Sequence, residues 1–196
     1  MSNKGAEPAN RPQPVLRKPV PEDAFAVNQL IMRCPPLDGN SVYCNLLQCT
    51  HFAETCIAAE LEGELVGFIS GYMIPERPNT LFIWQVAVAE AARGRGLART
   101  MLSELLQRDR CREVNYLETT ITPDNKASRA LFQSLAEFLE SDCEESILFD
   151  RHRHFADEHA SECLLRIGPF QAELIGLGPG TEQKPQSLPD YQERTA

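Results

Sequence analysis

Residues 81–106 have the sequence LFIWQVAVAEAARGRGLARTMLSELL. The first part, residues 81–88, is mostly apolar and rich in β-branched and aromatic side chains, which is typical of a buried strand. In the last part, Leu97, Met101, Leu102 and Leu105 recur at the spacing of one helix face. The glycine-rich stretch ARGRG lies between the two parts. The segment therefore predicts a strand, a tight turn and an amphipathic helix in direct succession.

The glycine-rich turn has the features of an anion site. Free backbone N–H groups and the positive end of the helix dipole converge where a helix begins. Gly94 and Gly96 leave room for a diphosphate to approach closely, and Arg93, Arg95 and Arg99 add cationic contacts. The spacing matches neither G-x-x-x-x-G-K-[ST] nor G-x-G-x-x-G, the loops of P-loop and dinucleotide-binding proteins. We therefore expect a pyrophosphate-bearing ligand held by a loop of another kind.

The rest of the chain alternates strands and helices around this segment. Glu62-Gly63 joins two extended runs and predicts a hairpin, while Pro35-Pro36 ends the first helix because proline lacks a backbone donor. The pattern predicts an α/β (α+β) fold with an antiparallel region and one helix-flanked parallel step. Strands are predicted at residues 15–18, 55–60, 65–73, 81–88, 114–120, 146–149 and 163–167, and helices begin at residues 21, 41, 97 and 125.

The chain of 196 residues is long enough for one domain with a tail at each end. Residues 1–14 and 171–196 are rich in glycine, proline and polar residues, and too poor in apolar ones to offset the entropy of ordering. We therefore expect two disordered tails around a single domain over residues 15–170.

Charge and composition narrow the possible partners. The formal net charge of −9 argues against nucleic acid, which needs a concentrated cationic surface, and suits a cationic small substrate or simply solubility. Residues 1–14 lack the apolar core of a signal peptide and no apolar run can span a bilayer, so we expect a cytoplasmic protein without a membrane role. The seven cysteines include no C-x-x-C pair and are expected to be reduced, mostly buried thiols.

The histidines towards the C-terminus do not indicate a metal site. His152, His154 and His159 lie close in sequence to Asp150 and Asp157. These residues have no standard zinc spacing, so we expect a solvated loop and no metal.

Residues 84–98 resemble the acetyl-CoA motif of the GNAT acetyltransferases, usually written [QR]-x-x-G-x-[GA]. The resemblance implies acetyl-CoA as co-substrate, bound in a mixed central sheet of about six to seven strands flanked by about four helices. The loop amides are implied to hold the pyrophosphate and the preceding strand to pair with the pantetheine arm. The stretch TPDNKAS, residues 122–128, resembles the second half of that site. The implied cofactor residues are Val86, Val88, Arg93, Gly94, Arg95, Gly96, Leu97, Ala98, Asn125 and Ser128.

The sequence departs from the family pattern at two positions. Ala91 replaces the usual Gln or Arg, which removes one side-chain contact but leaves the backbone cradle. The frequent general-acid tyrosine of the family falls near Phe132, which cannot protonate a departing thiolate. Water or another residue must therefore do so, or the thiolate leaves unaided.

Several separated motifs resemble the diaminobutyrate acetyltransferases of ectoine biosynthesis. They are CPPLDGNSVYCNLL, GFISGYMIP, FIWQVAV, LETTITPDNKAS and HASECLLRI, and the resemblance covers residues 15–170. It implies transfer of acetyl from acetyl-CoA to the γ-amino group of L-2,4-diaminobutyrate, with osmoadaptation as the biological setting and a homodimer as the assembly.

The same resemblance implies that Asp38, Tyr43, Trp84, His159 and Glu162 face the acceptor. Carboxylates suit its ammonium groups, and aromatic rings can wall the pocket. The attacking amine must be neutral although an alkyl amine has a pKa near ~10, so Glu162 or His159 is the candidate base.

A backbone N–H near Val88 is implied to bind the oxyanion, and no covalent intermediate is needed. Three of these acceptor residues also have a purely structural interpretation. Trp84 would then be core, Tyr43 the buried face of its helix and Asp38 a solvated turn former.

Two alternative functions stay open at the level of sequence. One is a GNAT acetyltransferase for another amine, such as a polyamine or a protein N-terminus. The other is a catalytically silent acyl-CoA-binding module, which the replacements at Ala91 and Phe132 allow.

Overall fold

The computed structural model describes residues 12–171, so the tail expected at 172–196 and most of that at 1–14 lie outside the described residues. Within this range a seven-stranded sheet carries helices on both faces, which confirms the mixed α/β fold. The strands are β1 (Val15–Arg17), β2 (Ile57–Leu61), β3 (Glu64–Ile74), β4 (Arg77–Val88), β5 (Tyr116–Ile121), β6 (Cys143–Phe149) and β7 (Glu162–Ile167). The helices are α1 (Ala24–Met32), α2 (Val42–Thr50), α3 (Leu97–Leu106), α4 (Lys126–Phe138) and α5 (Arg151–Phe155).

The strand order is β1-β2-β3-β4-β5-β7-β6. All neighbours are antiparallel except β4 and β5, which are the expected parallel step across α3. That parallel pairing runs only from Thr80 to Ile83 on β4, whereas β4 itself continues to Val88. The two strands therefore part in the middle of the sheet, and the end of β4 has one free edge.

Each face of the sheet has its own hydrophobic core. On the first face, Met101 and Leu105 of α3 and Leu135 of α4 pack with Ile83 and Leu117 of the sheet. Fully burying each such side chain contributes about 1.5–3 kcal/mol. On the second face, α1 packs against the middle of β3 and β4, and the side chains involved are Val27, Leu30, Ile31, Phe68 and Ala87.

A β-bulge in β4 decides which side chains meet which face. Gln85 pairs with Ser70 of β3 and Ile83 pairs with Gly71, so Trp84 is the extra residue. A Cβ atom at Gly71 would lie 2.8 Å from the Phe82 carbonyl oxygen, so only glycine fits at this close approach. The extra residue reverses the alternation, which turns Gln85 to the α1–α2 face.

Several element boundaries differ from those predicted. Helix α2 ends at Thr50 rather than near residue 48, and β4 begins at Arg77 rather than Leu81. The expected solvated loop after β6 contains the short helix α5. Its N-cap is Asp150, whose Oδ1 accepts hydrogen bonds from the backbone N–H groups of His152 and Arg153 at 3.0 Å each.

No helix between residues 12 and 171 combines the length and apolarity needed to cross a bilayer. The seven cysteines, all within this range, are free thiols, of which Cys143 is exposed and Cys44 partly exposed.

Candidate functional site

The glycine-rich turn connects the free end of β4 to α3. Gly94 and Gly96 both have φ of +73°, in the left-handed region that favours glycine. Gly96 is the N-cap of α3 and offers no side chain to the first turn, whose N–H groups therefore stay available to a ligand. Nothing within the described residues lies within 4 Å of a Cβ built on either glycine. The turn thus forms an open cradle for an anion.

A cavity of about 340 Å³ lies against this cradle. One wall comes from the α3 and α4 side of the sheet, and the other comes from residues 34–37, which connect α1 to α2 on the opposite side. The cavity therefore passes through the gap where β4 leaves β5. Its lining residues are Cys34, Pro35, Pro36, Leu37, Val86, Val88, Arg93, Gly94, Gly96, Ala98, Arg99, Asn125, Ala127, Ser128 and Leu131.

Most of the predicted cofactor residues line this cavity. Arg95 does not, and Leu97 packs its side chain in the core at 8% exposure. Arg93 bends back so that its Nε donates to the Val88 carbonyl oxygen at 2.9 Å. Cys34 also donates to that oxygen, at 3.4 Å from its Sγ. The Cys34–Leu37 wall, Ala127 and Leu131 were missed, because the sequence indicates Pro35-Pro36 only as a helix end.

The free edge of β4 presents unpaired peptide groups to the cavity. The Ala89 N–H donates to the Val66 carbonyl, so the Val88–Gly67 pair is of the type that exchanges no hydrogen bonds. The N–H and C=O of Val88 therefore point away from β3, and by the two-residue repeat so do those of Val86. The Val88 carbonyl already accepts from Arg93 and Cys34. The Val88 N–H and both peptide groups of Val86 therefore stay available to pair with an extended amide-bearing ligand.

Asn125 lies at the start of α4 and serves as its N-cap. Its Oδ1 accepts a hydrogen bond from the Ser128 N–H at 3.0 Å. The oxygen is thus used by the helix, while Nδ2 makes no hydrogen bond to another described residue. Asn125 and Ser128 both line the cavity. The stretch TPDNKAS therefore contributes both a helix start and a donor.

Three of the predicted acceptor residues lie together on the α1–α2 side of the gap. His159 Nε2 is 3.6 Å from Asp38 Oδ2, and His159 Nδ1 is 2.7 Å from the Ala160 carbonyl oxygen. A carbonyl accepts only, so Nδ1 carries the proton and Nε2 is the nitrogen available as a base. Glu162 is close enough to feel the charges of both Asp38 and His159.

Glu162 is a half-buried carboxyl group with a perturbed pKa. Burial raises the pKa of Glu162 above its ordinary value, and the Asp38 charge adds to the rise. Interaction with the Thr120 side chain and with the nearby His159 ring opposes the rise. Thr120 was not assigned a role from sequence. A carboxyl with a raised pKa is suited to accept a proton near neutral pH.

Tyr43 and Trp84 are exposed rather than part of the core. The exposed fractions are 69% for Tyr43 and 46% for Trp84, so the structural interpretation of both residues is wrong. Among residues 12–171 neither ring makes a hydrogen bond or stacks on another ring, and the structure does not join them to the Asp38–His159–Glu162 cluster. Phe132, in contrast, is buried at 2% exposure in the core between α4 and the sheet.

No group of three potential metal ligands occurs within residues 12–171. His152 Nδ1 lies 2.6 Å from Oδ1 of Asp157, which follows the end of α5.

Comparison with known proteins agrees with the geometry of the cavity. The acetyltransferase (GNAT) family matches residues 25–138. An L-2,4-diaminobutyric acid acetyltransferase of Methylotuvimicrobium alcaliphilum is 55% identical over 80% of this chain and 91% of that protein. The enzyme of that name from Halomonas elongata is 47% identical over 82% of this chain and 83% of its own length.

A solved structure has the same fold and a related sequence. The diaminobutyrate acetyltransferase of Paenibacillus lautus, in complex with its substrate L-2,4-diaminobutyric acid and coenzyme A, superposes with a TM-score of 0.78. It is 41% identical and covers 81% of this chain and 96% of that one. Ard1 from Thermoplasma volcanium, at 15% identity and a TM-score of 0.65, shares the fold. The chain therefore belongs to the GNAT acetyltransferase family, within its group of L-2,4-diaminobutyric acid acetyltransferases.

Proposed function

We propose that this chain transfers the acetyl group of acetyl-CoA to the γ-amino group of L-2,4-diaminobutyrate, by direct attack of the neutral amine in a ternary complex. The product is N4-acetyl-L-2,4-diaminobutyrate, the precursor of the compatible solute ectoine. The observation that carries the proposal is the cavity that runs from the anion cradle of α3 to residues 34–37, which directly precede Asp38 in the chain. Asp38 lies beside His159 and Glu162 on that side of the sheet.

The cofactor half of the mechanism follows from the cradle and the free edge of β4. The amides of the first turn of α3 bind the pyrophosphate, and Arg99 adds positive charge. The N–H and C=O of Val86 pair with the pantetheine arm, and Asn125 donates to it. This extended pairing brings the thioester to the gap, where the Val88 N–H meets the developing oxyanion.

The acceptor half requires charge recognition and proton removal. Asp38 pairs with an ammonium group of the diamino acid, and the exposed rings of Tyr43 and Trp84 close over its carbon chain. Glu162 takes the proton of the attacking amine, because burial raises its pKa and so makes the carboxylate a stronger base than an exposed one. His159 Nε2 faces Asp38 and relays or holds this proton.

The departing thiolate receives no proton from residue 132. Phe132 has no hydroxyl group and lies in the core. Water in the open cavity therefore protonates the sulfur, or the thiolate leaves as an anion.

We further propose that residues 15–170 form one domain and that the protein works in the cytoplasm as a homodimer. Strand β6 supports the homodimer: it is the edge of the sheet, and every residue from Cys143 to Phe149 is exposed. Its last part carries Ile147, Leu148 and Phe149. Exposed apolar edge strands are usually covered by another chain.

Thiol release from acetyl-CoA measured with L-2,4-diaminobutyrate, ornithine, lysine and spermidine tests the function. We expect the highest kcat/KM with diaminobutyrate and an acetylated γ-nitrogen in the product by NMR. Preference for spermidine would favour a polyamine acetyltransferase. Coenzyme A binding without turnover of any amine would indicate a silent acyl-CoA-binding module.

A further inference from the structure

A chain of amide side chains lies buried between α1, α2 and β4. Asn45 Nδ2 donates to Gln48 Oε1 at 2.9 Å, and Asn28 Nδ2 is 3.1 Å from Asn45 Oδ1. Asn28 Nδ2 also donates to the Asn40 carbonyl oxygen at 2.7 Å, and Asn40 Nδ2 donates to Gln85 Oε1 at 2.6 Å. Asn28, Asn45, Gln48 and Gln85 are all no more than 8% exposed. Gln48 Nε2, at the far end of this network, has no hydrogen-bond partner among the described residues. Each further hydrogen bond lost from the buried network would leave another unpaired amide group, which is penalised.

Gln85 is the last amide of this hydrogen-bonded series, and it makes two hydrogen bonds to the loop before α2. Its Oε1 accepts from the Asn40 side chain, and its Nε2 donates to the Asp38 carbonyl oxygen at 2.8 Å. The Asp38 side chain itself is 82% exposed, and its Oδ2 lies 3.6 Å from His159 Nε2. The direction of the Asp38 carboxylate therefore depends on its backbone, which Gln85 fixes.

The β4 bulge makes this contact possible. Ile83 faces the α3–α4 core, and strict alternation would place residue 85 on that same face. The extra residue Trp84 reverses the alternation and turns Gln85 to the loop. A single irregularity thus exposes Trp84 and buries the amide that holds the loop of Asp38.

We infer that Gln85 is a positioning residue for the acceptor: by holding Asp38 and Asn40 it aims the Asp38 carboxylate at the diamino acid. This role rests on the proposed function, since it acts through Asp38 and touches no substrate. Loss of Gln85 should therefore weaken acceptor binding and leave acetyl-CoA binding intact, because the cradle at Gly94 and Gly96 belongs to the other side of the sheet.

Steady-state kinetics of Gln85→Leu test the inference, since leucine keeps the bulk and removes both hydrogen bonds. We expect the KM for diaminobutyrate to rise about tenfold while the KM for acetyl-CoA changes less than about twofold. Asn40→Ala removes one of the two bonds without altering the strand, and should raise the acceptor KM about threefold. If Gln85→Leu fails to fold, the acceptor KM of Asn40→Ala tests the positioning role instead.

Ser70→Ala is the matched control. Ser70 pairs directly across from Gln85, is 1% exposed, and its Oγ has no hydrogen-bond partner among the described residues. Both KM values should stay within about twofold of wild type. In an Asp38→Ala background, Gln85→Leu should add little further to the acceptor KM, because the two changes act on one contact.

The outcomes separate the two proposals. A wild-type protein that does not acetylate diaminobutyrate would overturn the proposed function. A wild type that does so, with Gln85→Leu or Asn40→Ala raising both KM values equally or neither, would overturn the positioning role alone.

Discussion

Single residues with perturbed environments carry most of the proposed chemistry. The pKa of Glu162 is raised by burial, and the Nε2 atom of His159 faces Asp38. Sequence predicted these three residues through resemblance, because residues 38, 159 and 162 are far apart or unremarkable in any local pattern. It did not predict Thr120 or Gln85, whose roles depend on which face of a strand each side chain meets. The face of the sheet on which a strand residue lies cannot be known until the strand pairing and its bulges are known.

Replacing Glu162 by Gln tests its role as the base. We expect kcat to fall about 10²–10⁴-fold, the usual contribution of a general base. Wild-type activity should fall as pH drops through the raised pKa of Glu162, and the variant should lack this acid limb. A matched His159→Asn variant that loses the limb instead would assign the proton to His159.

The same substitution should affect stability in a defined direction. A carboxyl whose pKa is raised by folding stabilises the protein below its unfolded pKa, and this contribution is lost as pH rises through the folded pKa. Glu162→Gln should therefore melt at the same or a higher temperature than wild type at neutral pH. The difference should vanish below the ordinary glutamic acid pKa of 4.5. A lower melting temperature for Glu162→Gln than for wild type at neutral pH would contradict a pKa raised by burial of the Glu162 carboxylate.

At the scale of elements, the strand–turn–helix of residues 81–106 was predictable because its signals are local. Apolar periodicity gives β4 and α3, and only glycine relieves the left-handed backbone between them. The gap between β4 and β5 was not predictable, since it depends on where non-local pairing stops. Helix α5 was missed because its five residues have almost no buried face.

Gly94→Ala should weaken acetyl-CoA binding with a limited loss of stability. The left-handed backbone at φ +73° makes alanine unfavourable by about 1–2 kcal/mol, and the new methyl group would fill space needed by the pyrophosphate. Gly63→Ala is a matched control, because Gly63 has φ of +83° in the β2–β3 turn and equally empty surroundings. Calorimetric titration with coenzyme A should show about tenfold weaker binding for Gly94→Ala only. Equal weakening in both variants would mean that backbone strain alone is responsible.

At the scale of the whole molecule, sequence predicted the fold class and its mixed sheet, because alternating elements allow few arrangements. Assembly is a different matter: no local pattern marks β6 as an exposed edge. It becomes visible only when β7 is seen to lie between β5 and β6. From sequence, residues 146–149 were predicted only as an ordinary closing strand.

Ile147→Arg should convert a homodimer to a monomer. Ile147 is 63% exposed on β6, and a charge there would oppose burial against a second copy. Phe25→Arg is the matched control, because Phe25 is 64% exposed on α1, away from the edge strand. Sedimentation velocity should show a lower sedimentation coefficient, that of a monomer, for Ile147→Arg only. An unchanged sedimentation coefficient for both variants would place the interface elsewhere.

The passage through the sheet also has a kinetic consequence. In the proposed mechanism acetyl-CoA approaches from the side of α3 and α4, and the diamino acid approaches from the side of Asp38. We therefore expect that neither substrate covers the entrance of the other. Either substrate can then bind first. L-2-Aminobutyrate, which lacks the γ-amine, should inhibit competitively against diaminobutyrate and in a mixed manner against acetyl-CoA. Uncompetitive inhibition against acetyl-CoA would instead mean that one entrance opens only after the other is filled.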